Sequence, residues 1–485
     1  MSERGQSSTA TRAAGGEPAA PHPPRKALIL GIILTCQLMV VLDVTIVNIA
    51  LPRVEQDLSF SAAGGAWVLN GYTLAFGGLL LMAGRAGDAF GRRRILLAGI
   101  TLFTIASLVG GVAPAAGVLI AARVAQGVGA ALTAPSVLAL LASNFSEGAE
   151  RNKALGTFSM VLGLGLTLGF VLGGALASAS WRWVFFVNVP FGAIAVVLIL
   201  LYLRETERHQ ARFDTVGALL STAGMVALVY ALIHAASDGW SNGVTIGGLV
   251  LGVVLLVAFV AVERGTGAPI MPLRLVTERN RAAAYLNNLL LPAATTGMLF
   301  LLSQYMQEVH GYGPLRTGVA FLPQAAAQFI AARTAPKLVP KLGAKRLTLL
   351  GTALVLVAAA WLSQVGADSA YPVHLLGPLI LLGAGLGMSF MPLTMTVLAG
   401  LPPAESGAAS GLLQAMQQMG VSLGVAVLIT VYGSVVRGAA PDGVQRTLQA
   451  HGFADAFGTA AVLAAAALLV AAIVIQTRKP APAKA

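Results

Sequence analysis

Apolar stretches of about 20 residues recur along the whole chain, and they constrain its fold more than any other feature of the sequence. A helix rises about 1.5 Å per residue, so about 20 apolar residues span a hydrocarbon core of about 30 Å. Only 10% of the residues are charged and 56% are hydrophobic, which leaves too few charges to cover a soluble protein. We predict an all-α, polytopic membrane protein with fourteen transmembrane helices. The predicted spans are 28–50, 64–84, 94–114, 116–142, 152–178, 183–203, 214–236, 244–264, 281–309, 315–336, 345–365, 372–398, 406–433 and 455–476.

The lysines and arginines are distributed unequally between the two sides of the predicted membrane. With the N-terminus inside, 25 of the 31 lie in tails and loops on the inner side and five on the outer side, while Arg123 lies within a span. This is the bias of the positive-inside rule. It predicts that both termini are cytoplasmic in a multi-pass protein of the inner (cytoplasmic) membrane. The net charge of +12 therefore sets the topology, and we expect no nucleic-acid partner.

The second half of the chain repeats the first. The segment GRAGDAFGRRRILLAG (84–99) aligns with PKLVPKLGAKRLTLLG (336–351) at an offset of 252 residues, with Gly99 matching Gly351 and Pro340 in place of Asp88. Parallel repeats are a transporter design in which the substrate site lies between the halves. The predicted units are a disordered cytoplasmic tail at 1–27, a six-helix bundle at 28–203, two inserted helices with linkers at 204–280, a second six-helix bundle at 281–476 and a cytoplasmic tail at 477–485.

Two opposite charges, Asp43 and Arg123, lie deep within predicted spans. Asp43 is about 22 Å from the inner face and Arg123 about 10 Å from the outer face, so their depths nearly coincide. Because a charge at the bilayer centre costs roughly 2.5–3.5 kcal/mol, we predict that the two side chains pair. Their separation during a conformational change would let Asp43 exchange a proton and so couple a proton gradient to transport. The alternatives are a purely structural ion pair and an arginine that faces a watery cavity alone.

A tight inner loop, GRAGDAFGRRR (84–94), places one acid among four arginines and several glycines. We predict that Asp88 caps the N-terminus of a neighbouring helix and accepts from an arginine, which latches the inner face shut. Gly84 and Gly91 complete the predicted gate. The alternative is that the arginines only enforce topology.

The fifth predicted helix contains GLGLTLGFVLGG (163–174), which places Gly165, Gly169 and Gly173 on one face, followed by Gly174. Small residues at this spacing let helix backbones approach closely in lipid. We predict a tight seal that slides between bundles, with generic helix packing as the alternative.

Polar side chains inside the spans are candidates for the substrate pathway, because in lipid they must face protein or a cavity. For each of them, ordinary packing or simple exposure is the alternative. The candidates are Gln414, Met416, Gln417 and Gln418 on the thirteenth helix, Gln324 and Gln328 on the tenth, Asn48 on the first, Gln126 on the fourth and Glu308 at the outer rim of the ninth.

Together these motifs resemble the major facilitator superfamily, specifically its fourteen-helix drug:proton antiporter family, over about residues 28–476. The similar stretches are LDVTIVNIALP (42–52), GRAGDAFGRRR (84–94), RVAQGVGAALTAP (123–135), SWRWVFFVNVPFG (180–192) and QYMQEVHGYGPLRTGVAFLP (304–323). The resemblance implies that Asp43 and Arg123 couple protons, that Asp88 and Arg92 belong to the gate, and that the fifth-helix glycines form the antiporter motif. Phe170 departs from that motif, which usually has proline at this position.

We expect a secondary active transporter that exports hydrophobic or amphipathic small molecules, such as drugs or antibiotics, in exchange for protons by alternating access. The sequence contains no recognisable phosphate-binding loop or zinc-hydrolase motif. We therefore expect no enzyme activity and no cofactor, a proton gradient as the energy source, and a monomer whose partners are substrate, protons and the lipid bilayer. The alternatives are a proton symporter or a dedicated metabolite exporter of the same fold, and a membrane receptor or assembly partner that transports nothing.

Overall fold

The computed structural model describes residues 26–58, 62–205, 214–266, 269–402, 405–436 and 442–475, and these residues are almost entirely helical. The predicted all-α fold with fourteen long helices is confirmed for this part of the chain. The predicted tails lie outside the described residues, except for Lys26 and Ala27, which begin the first helix. The helices are α1 Lys26–Asp57, α2 Ala62–Phe90, α3 Arg92–Gly111, α4 Ala116–Asn144, α5 Ala149–Ala179, α6 Trp183–Tyr202, α7 Thr215–Asp238, α8 Gly243–Gly265, α9 Arg279–Glu308, α10 and α11 within Pro314–Ala320 and Leu322–Leu362, α12 Leu376–Leu398, α13 Ser406–Val436 and α14 Asp442–Ile473.

Two of these helices are divided by identifiable residues. The helix Leu322–Leu362 would be about 60 Å long if straight, twice the thickness of a hydrocarbon core. It bends back at Gly343, whose φ of 78° is a left-handed conformation that glycine adopts without steric cost. We number the part before Gly343 as α10 and the part after it as α11. In α6 the helix is interrupted at Val187 because Pro190, which has no N–H, cannot donate to the carbonyl four residues earlier.

Several helices extend beyond their predicted spans. The largest difference is in α14, which begins at Asp442 although the apolar stretch predicts a start at residue 455. The polar residues before the apolar stretch continue the helix outside the hydrocarbon core, where side chains and water satisfy polar groups. Hydropathy marks the part of a helix in lipid, and it does not mark where the helix ends.

The internal repeat is visible as a pair of equivalent glycine contacts. In the first half, Gly99 of α3 faces Gly129 of α4 so closely that a Cβ at Gly99 would lie 2.8 Å from the Gly129 carbonyl oxygen. In the second half, Gly351 of α11 faces Gly385 of α12, and a Cβ at Gly351 would lie 2.7 Å from the Gly385 carbonyl oxygen. Gly99 and Gly351, which align at the offset of 252, thus make equivalent backbone contacts, with partners that are 256 residues apart.

Helices α1 and α5 run parallel and in register over most of their length. Residues 124 positions apart meet at the inner end, where Lys26 Nζ donates to Glu150 Oε1 at 2.6 Å, and at the outer end, where Trp181, just beyond α5, donates its Nε1–H to Asp57 at 2.7 Å. The hydrogen bond from Lys26 lowers the pKa of the Glu150 carboxyl to about 2. Helices α9 and α13 repeat this arrangement, since the Tyr285 hydroxyl donates to the Ala409 carbonyl.

The inserted helices α7 and α8 form an antiparallel hairpin that lies beside the seam between α2 and α13. Val226 and Tyr230 of α7 lie against α2, where the Tyr230 ring stacks on Trp67 with centroids 6.4 Å apart. At the outer end, Trp240 Nε1 donates to Thr430 Oγ1 of α13 at 2.9 Å. The hairpin therefore contacts both halves at the helices that meet on the inner side.

We predict that Gly99→Ala and Gly351→Ala each destabilise the protein. Alanine normally improves on glycine inside a helix by about 0.5–1 kcal/mol, but here the added methyl group would overlap a facing backbone and cost about 1–3 kcal/mol. Thermal unfolding in detergent measures the effect as a lower midpoint temperature.

Gly117→Ala in α4 is the matched control, because nothing lies within 4 Å of a Cβ at that position. Equal midpoints for Gly99→Ala and Gly117→Ala would show that the backbone contact is not tight.

Candidate functional site

The opposite charges on α1 and α4 meet in the interior of the first half. Arg123 Nη1 donates to Asp43 Oδ2 at 2.5 Å, and the two side chains are 1% and 0% exposed. The guanidinium has two further contacts, since Nε donates to the Val68 carbonyl at 2.9 Å and the Tyr72 ring lies 4.4 Å from the guanidinium carbon. Pairing of this kind offsets the cost of burying both charges.

Two side-chain amides donate to the other oxygen of the carboxylate. Gln126 Nε2 and Asn188 Nδ2 lie 3.1 and 3.0 Å from Asp43 Oδ1. Gln126 is itself held at both ends, because its Oε1 accepts from Arg123 at 2.9 Å and its Nε2 also donates to Ser107 Oγ at 2.7 Å. Every group that reaches the carboxylate in the described part of the chain is an N–H donor, so the contacts fit the ionised form of Asp43.

The structure places Gln126 in this network and adds residues that sequence reasoning missed. Gln126 is fully buried within the ion-pair network, and its place on a substrate pathway stays a prediction. Asn188, Ser107 and Tyr72 are the missed members. The signal for Asn188 was available in the sequence, since it is the one amide side chain of α6 and lies two residues before Pro190.

Asp88 lies at the N-terminus of α13, across the seam between the halves. Its Oδ1 accepts from Gly407 N at 3.1 Å and its Oδ2 from Ala408 N at 3.0 Å. Arg92 Nη2 donates to Asp88 Oδ1 at 2.9 Å. The first N–H groups of a helix lack intrahelical partners and carry the positive end of its dipole, so an ionised Asp88 holds the inner ends of α2 and α13 together.

The two glycines of the predicted gate have different roles. Gly84 lets α2 and α13 touch, since a Cβ there would lie 2.5 Å from the Gly407 carbonyl oxygen. Gly91 has a φ of 103° and faces the carboxylate of Glu205, which also accepts from the Arg93 N–H at 3.1 Å. The turn after α2 is thereby fixed to the end of α6.

Three of the four predicted fifth-helix glycines pack against α1. A Cβ at Gly165, Gly169 or Gly173 would lie 2.8, 2.6 or 2.9 Å from Val41, Thr45 or Ile49, respectively. Gly174 has nothing within 4 Å of its Cβ position and is not part of this contact. The ridge faces α1, within the first half, and the side chain of Phe170 lies outside the described residues.

The remaining pathway candidates do not form one cluster. Gln414, Met416, Gln417 and Gln418 are half-buried on α13, where Gln417 Nε2 donates to Asn288 Oδ1 of α9 at 3.0 Å. Gln324 donates to Gln328 at 3.1 Å, and both are buried. Gln328 lies against Gly163 of α5, so these two belong to a packed contact between the halves.

Asn48 and Glu308 are both exposed. Glu308, at the outer end of α9, accepts from the Tyr432 hydroxyl at 3.3 Å. Its position agrees with the predicted outer rim.

Comparison with known proteins gives consistent matches. The model of the Major Facilitator Superfamily matches residues 33–425. The chain is 41% identical to the puromycin resistance protein pur8 of Streptomyces alboniger over 93% of this chain and 90% of that protein. It is 37% identical to the cephamycin export protein CmcT of Amycolatopsis lactamdurans over 92% of each. The solved structure of the human organic anion transporter MFSD10 (TETRAN) shares the fold, with a TM-score of 0.68, 16% identity and coverage of 92% of this chain and 100% of that one.

The Asp88 contacts predict that Asp88→Asn opens the inner face. Hydrogen bonds to a charged group contribute about 1.5–3 kcal/mol, so we expect labelling of a cysteine behind the contact to become about tenfold faster. Ser410→Cys on α13, fully buried in this state, supplies that cysteine in a Cys36→Ser background, and the rate of reaction with a maleimide is measured from the inner side.

Asp455→Asn on the exposed face of α14 controls for loss of a carboxylate elsewhere. Unchanged labelling in the Asp88→Asn variant would mean that Asp88 does not hold the face closed.

Proposed function

The chain belongs to the Major Facilitator Superfamily, and we propose that it exports amphipathic or hydrophobic small molecules, of the kind used as drugs and antibiotics, in exchange for protons. It is a multi-pass membrane protein and a transporter rather than an enzyme. Its relatives are named for resistance to puromycin and for export of cephamycin. We further propose that it works as a monomer in the cytoplasmic membrane with both termini inside, in agreement with the bias of lysines and arginines.

The observation that carries the proton-exchange part of the proposal is the complete burial of the Asp43–Arg123 pair. A pair that stayed closed in every state would only hold α1 against α4. A pair that opens leaves a carboxylate in apolar surroundings, where the neutral acid is favoured over the ion. Asp43 then takes a proton from the outer side and releases it to the inner side when the pair re-forms.

The coupling follows from the location of the pair inside the half that moves. Helix α1 is fixed along its length to α5 by the glycine ridge, and α5 packs against α10 of the other half through Gly156 and Pro336. A shift of α1 that loosens Asp43 from Arg123 therefore passes to the seam between the halves. Rocking of the halves and the protonation state of Asp43 change together.

The inner gate supplies the second part of the cycle. Asp88 holds the α2–α13 side of the inner face closed, which blocks exit of substrate to the inside along that side. Opening toward the inside requires Asp88 to release the N-terminus of α13, with Arg92 keeping the carboxylate paired. The substrate then meets a path bordered by the amides and methionines of α13, which suit uncharged or weakly charged amphipathic molecules because soft, adaptable side chains re-pack around varied ligands.

Transport by purified protein in vesicles with an imposed pH gradient tests the proposal. With puromycin and ethidium as probes, we expect the substrate to move against the direction of proton flow. Asp43→Asn should lower gradient-driven uptake at least about tenfold while exchange of labelled for unlabelled probe continues, because asparagine keeps the shape of the site but cannot carry a proton.

Asp57→Asn near the outer end of α1 is the control, since its carboxylate is half-exposed and its hydrogen bond from Trp181 survives the change. Movement of substrate and protons in the same direction would establish a symporter. Full gradient-driven transport by Asp43→Asn would remove Asp43 from the coupling.

A further inference from the structure

Asn188 contacts the proposed proton-carrying group from a helix that the pairing of α1 with α4 does not involve. It lies in α6 at the turn that Pro190 interrupts, is 3% exposed, and donates to Asp43 Oδ1. That is the one hydrogen bond that its side chain makes within the described part of the chain. Its amide is therefore held at one end.

Gln126 donates to the same oxygen but is held differently. Its Oε1 accepts from Arg123, and its Nε2 is shared between Asp43 and Ser107, whose hydroxyl in turn donates to the Phe103 carbonyl at 2.8 Å. Rotating the Gln126 amide by about 180° would place its oxygen against Asp43 Oδ1 and Ser107 Oγ, which both accept from it now. The same rotation would place its nitrogen against the Arg123 guanidinium, which is itself a donor. The network thus fixes Gln126 as a donor.

A proton on Asp43 Oδ1 would need a hydrogen-bond acceptor, and neither amide that contacts this oxygen presents one in the present arrangement. The new O–H is a donor, and both neighbours of that oxygen are N–H donors. A buried donor without an acceptor is destabilised, because it has lost its hydrogen bond to water and gained none in the protein. An amide side chain carries both a donor and an acceptor, and turning it by about 180° exchanges them.

We propose that Asn188 is the residue that holds the proton on Asp43, by turning its amide so that it donates to the carboxylate and accepts from the carboxylic acid. The inference rests on the proposed proton exchange. When Asp43 takes a proton from solvent, an O–H bond forms at Oδ1, the carboxylate loses its charge, and Asn188 Oδ1 accepts from the new O–H. Release reverses each step, and Asn188 returns to donating. Asn188 is a positioning residue, since the proton is carried by Asp43.

The surroundings of Asp43 leave few other groups to consider. From α4 it faces the charged Arg123 and the neutral Gln126, and from α2 the titratable Tyr72, whose hydroxyl is buried. From α6 it is contacted by Asn188, while the glycine ridge of α5 packs against other α1 residues, Val41, Thr45 and Ile49. Among the described groups that are hydrogen-bonded to Asp43, Arg123 is the one that is charged, and Asn188 is the amide that no second hydrogen bond holds in place.

The test compares two matched variants, Asn188→Leu and Gln126→Leu, each of which removes one N–H donor to Asp43 Oδ1. The readout is the infrared band of the protonated carboxyl group, assigned by its loss in Asp43→Asn, during pH titration of full-length protein in lipid nanodiscs. At Asp43, Gln126→Leu removes a donor to the carboxylate and no acceptor for the acid, so the titration midpoint should rise by about one pH unit. Asn188→Leu also removes the acceptor for the acid, so its midpoint should stay near that of the wild type or fall.

Equal upward shifts in the two variants would overturn the proposal, because Asn188 would then act only as a donor. That result would leave the proposed function intact, since Asp43 would still titrate. Absence of any band that disappears in Asp43→Asn would instead refute both the exchange of protons at Asp43 and the role of Asn188.

A measurement on the unsubstituted protein does not depend on how the variants fold. With asparagine carrying carbon-13 at its side-chain carbonyl, the turned amide should shift an asparagine carbonyl band to lower frequency in step with protonation of Asp43. An asparagine band that stays constant through the titration would contradict the turn of the amide.

Discussion

The ion pair between Asp43 and Arg123 is the interaction on which the rest of the molecule depends. A membrane protein built of long apolar helices could avoid charges in lipid altogether, and here it places two of them at the centre of its first half. Both are tolerated because hydrogen bonds and the opposite charge replace the water that each would lose on burial. Five helices supply the network, so a change in any one of α1, α2, α3, α4 or α6 alters the surroundings of the pair.

The two halves share a plan but differ in their charges. The contact of Gly99 with Gly129 recurs as that of Gly351 with Gly385, so the close helix packing is common to both. The acid Asp88 near the end of α2 has no counterpart, because Pro340 occupies the equivalent position. The symmetric part of the sequence thus builds the scaffold, and the asymmetric part carries the functional groups. If the second half also carried an acid at the position of Pro340, both sides of the inner face would be held closed.

Sequence reasoning predicted the elements that depend on long-range physical rules. Hydropathy located fourteen helices because the bilayer imposes a length, and matching depths paired Asp43 with Arg123 because a lone charge in lipid is costly. It failed where the outcome depends on which face of a helix a polar side chain occupies. In the sequence, Gln126 and Asn188 are isolated amides on different helices. The rotation of α4 and α6 about their axes is what places both at the Asp43 carboxylate. The start of α14 at Asp442 was missed because polar residues continue a helix without a hydropathy signal.

The hairpin of α7 and α8 rests on α2 through the middle and outer parts of α7, but meets α13 at residues in the outer part of that helix, including Ala426 and Thr430. Its attachment to the first half is thus broader than its attachment to the second. A spectroscopic label attached to the hairpin would therefore move together with the first half. Distances from such a label to α13 record the relative rotation of the halves, while distances to α2 record deformation within one of them.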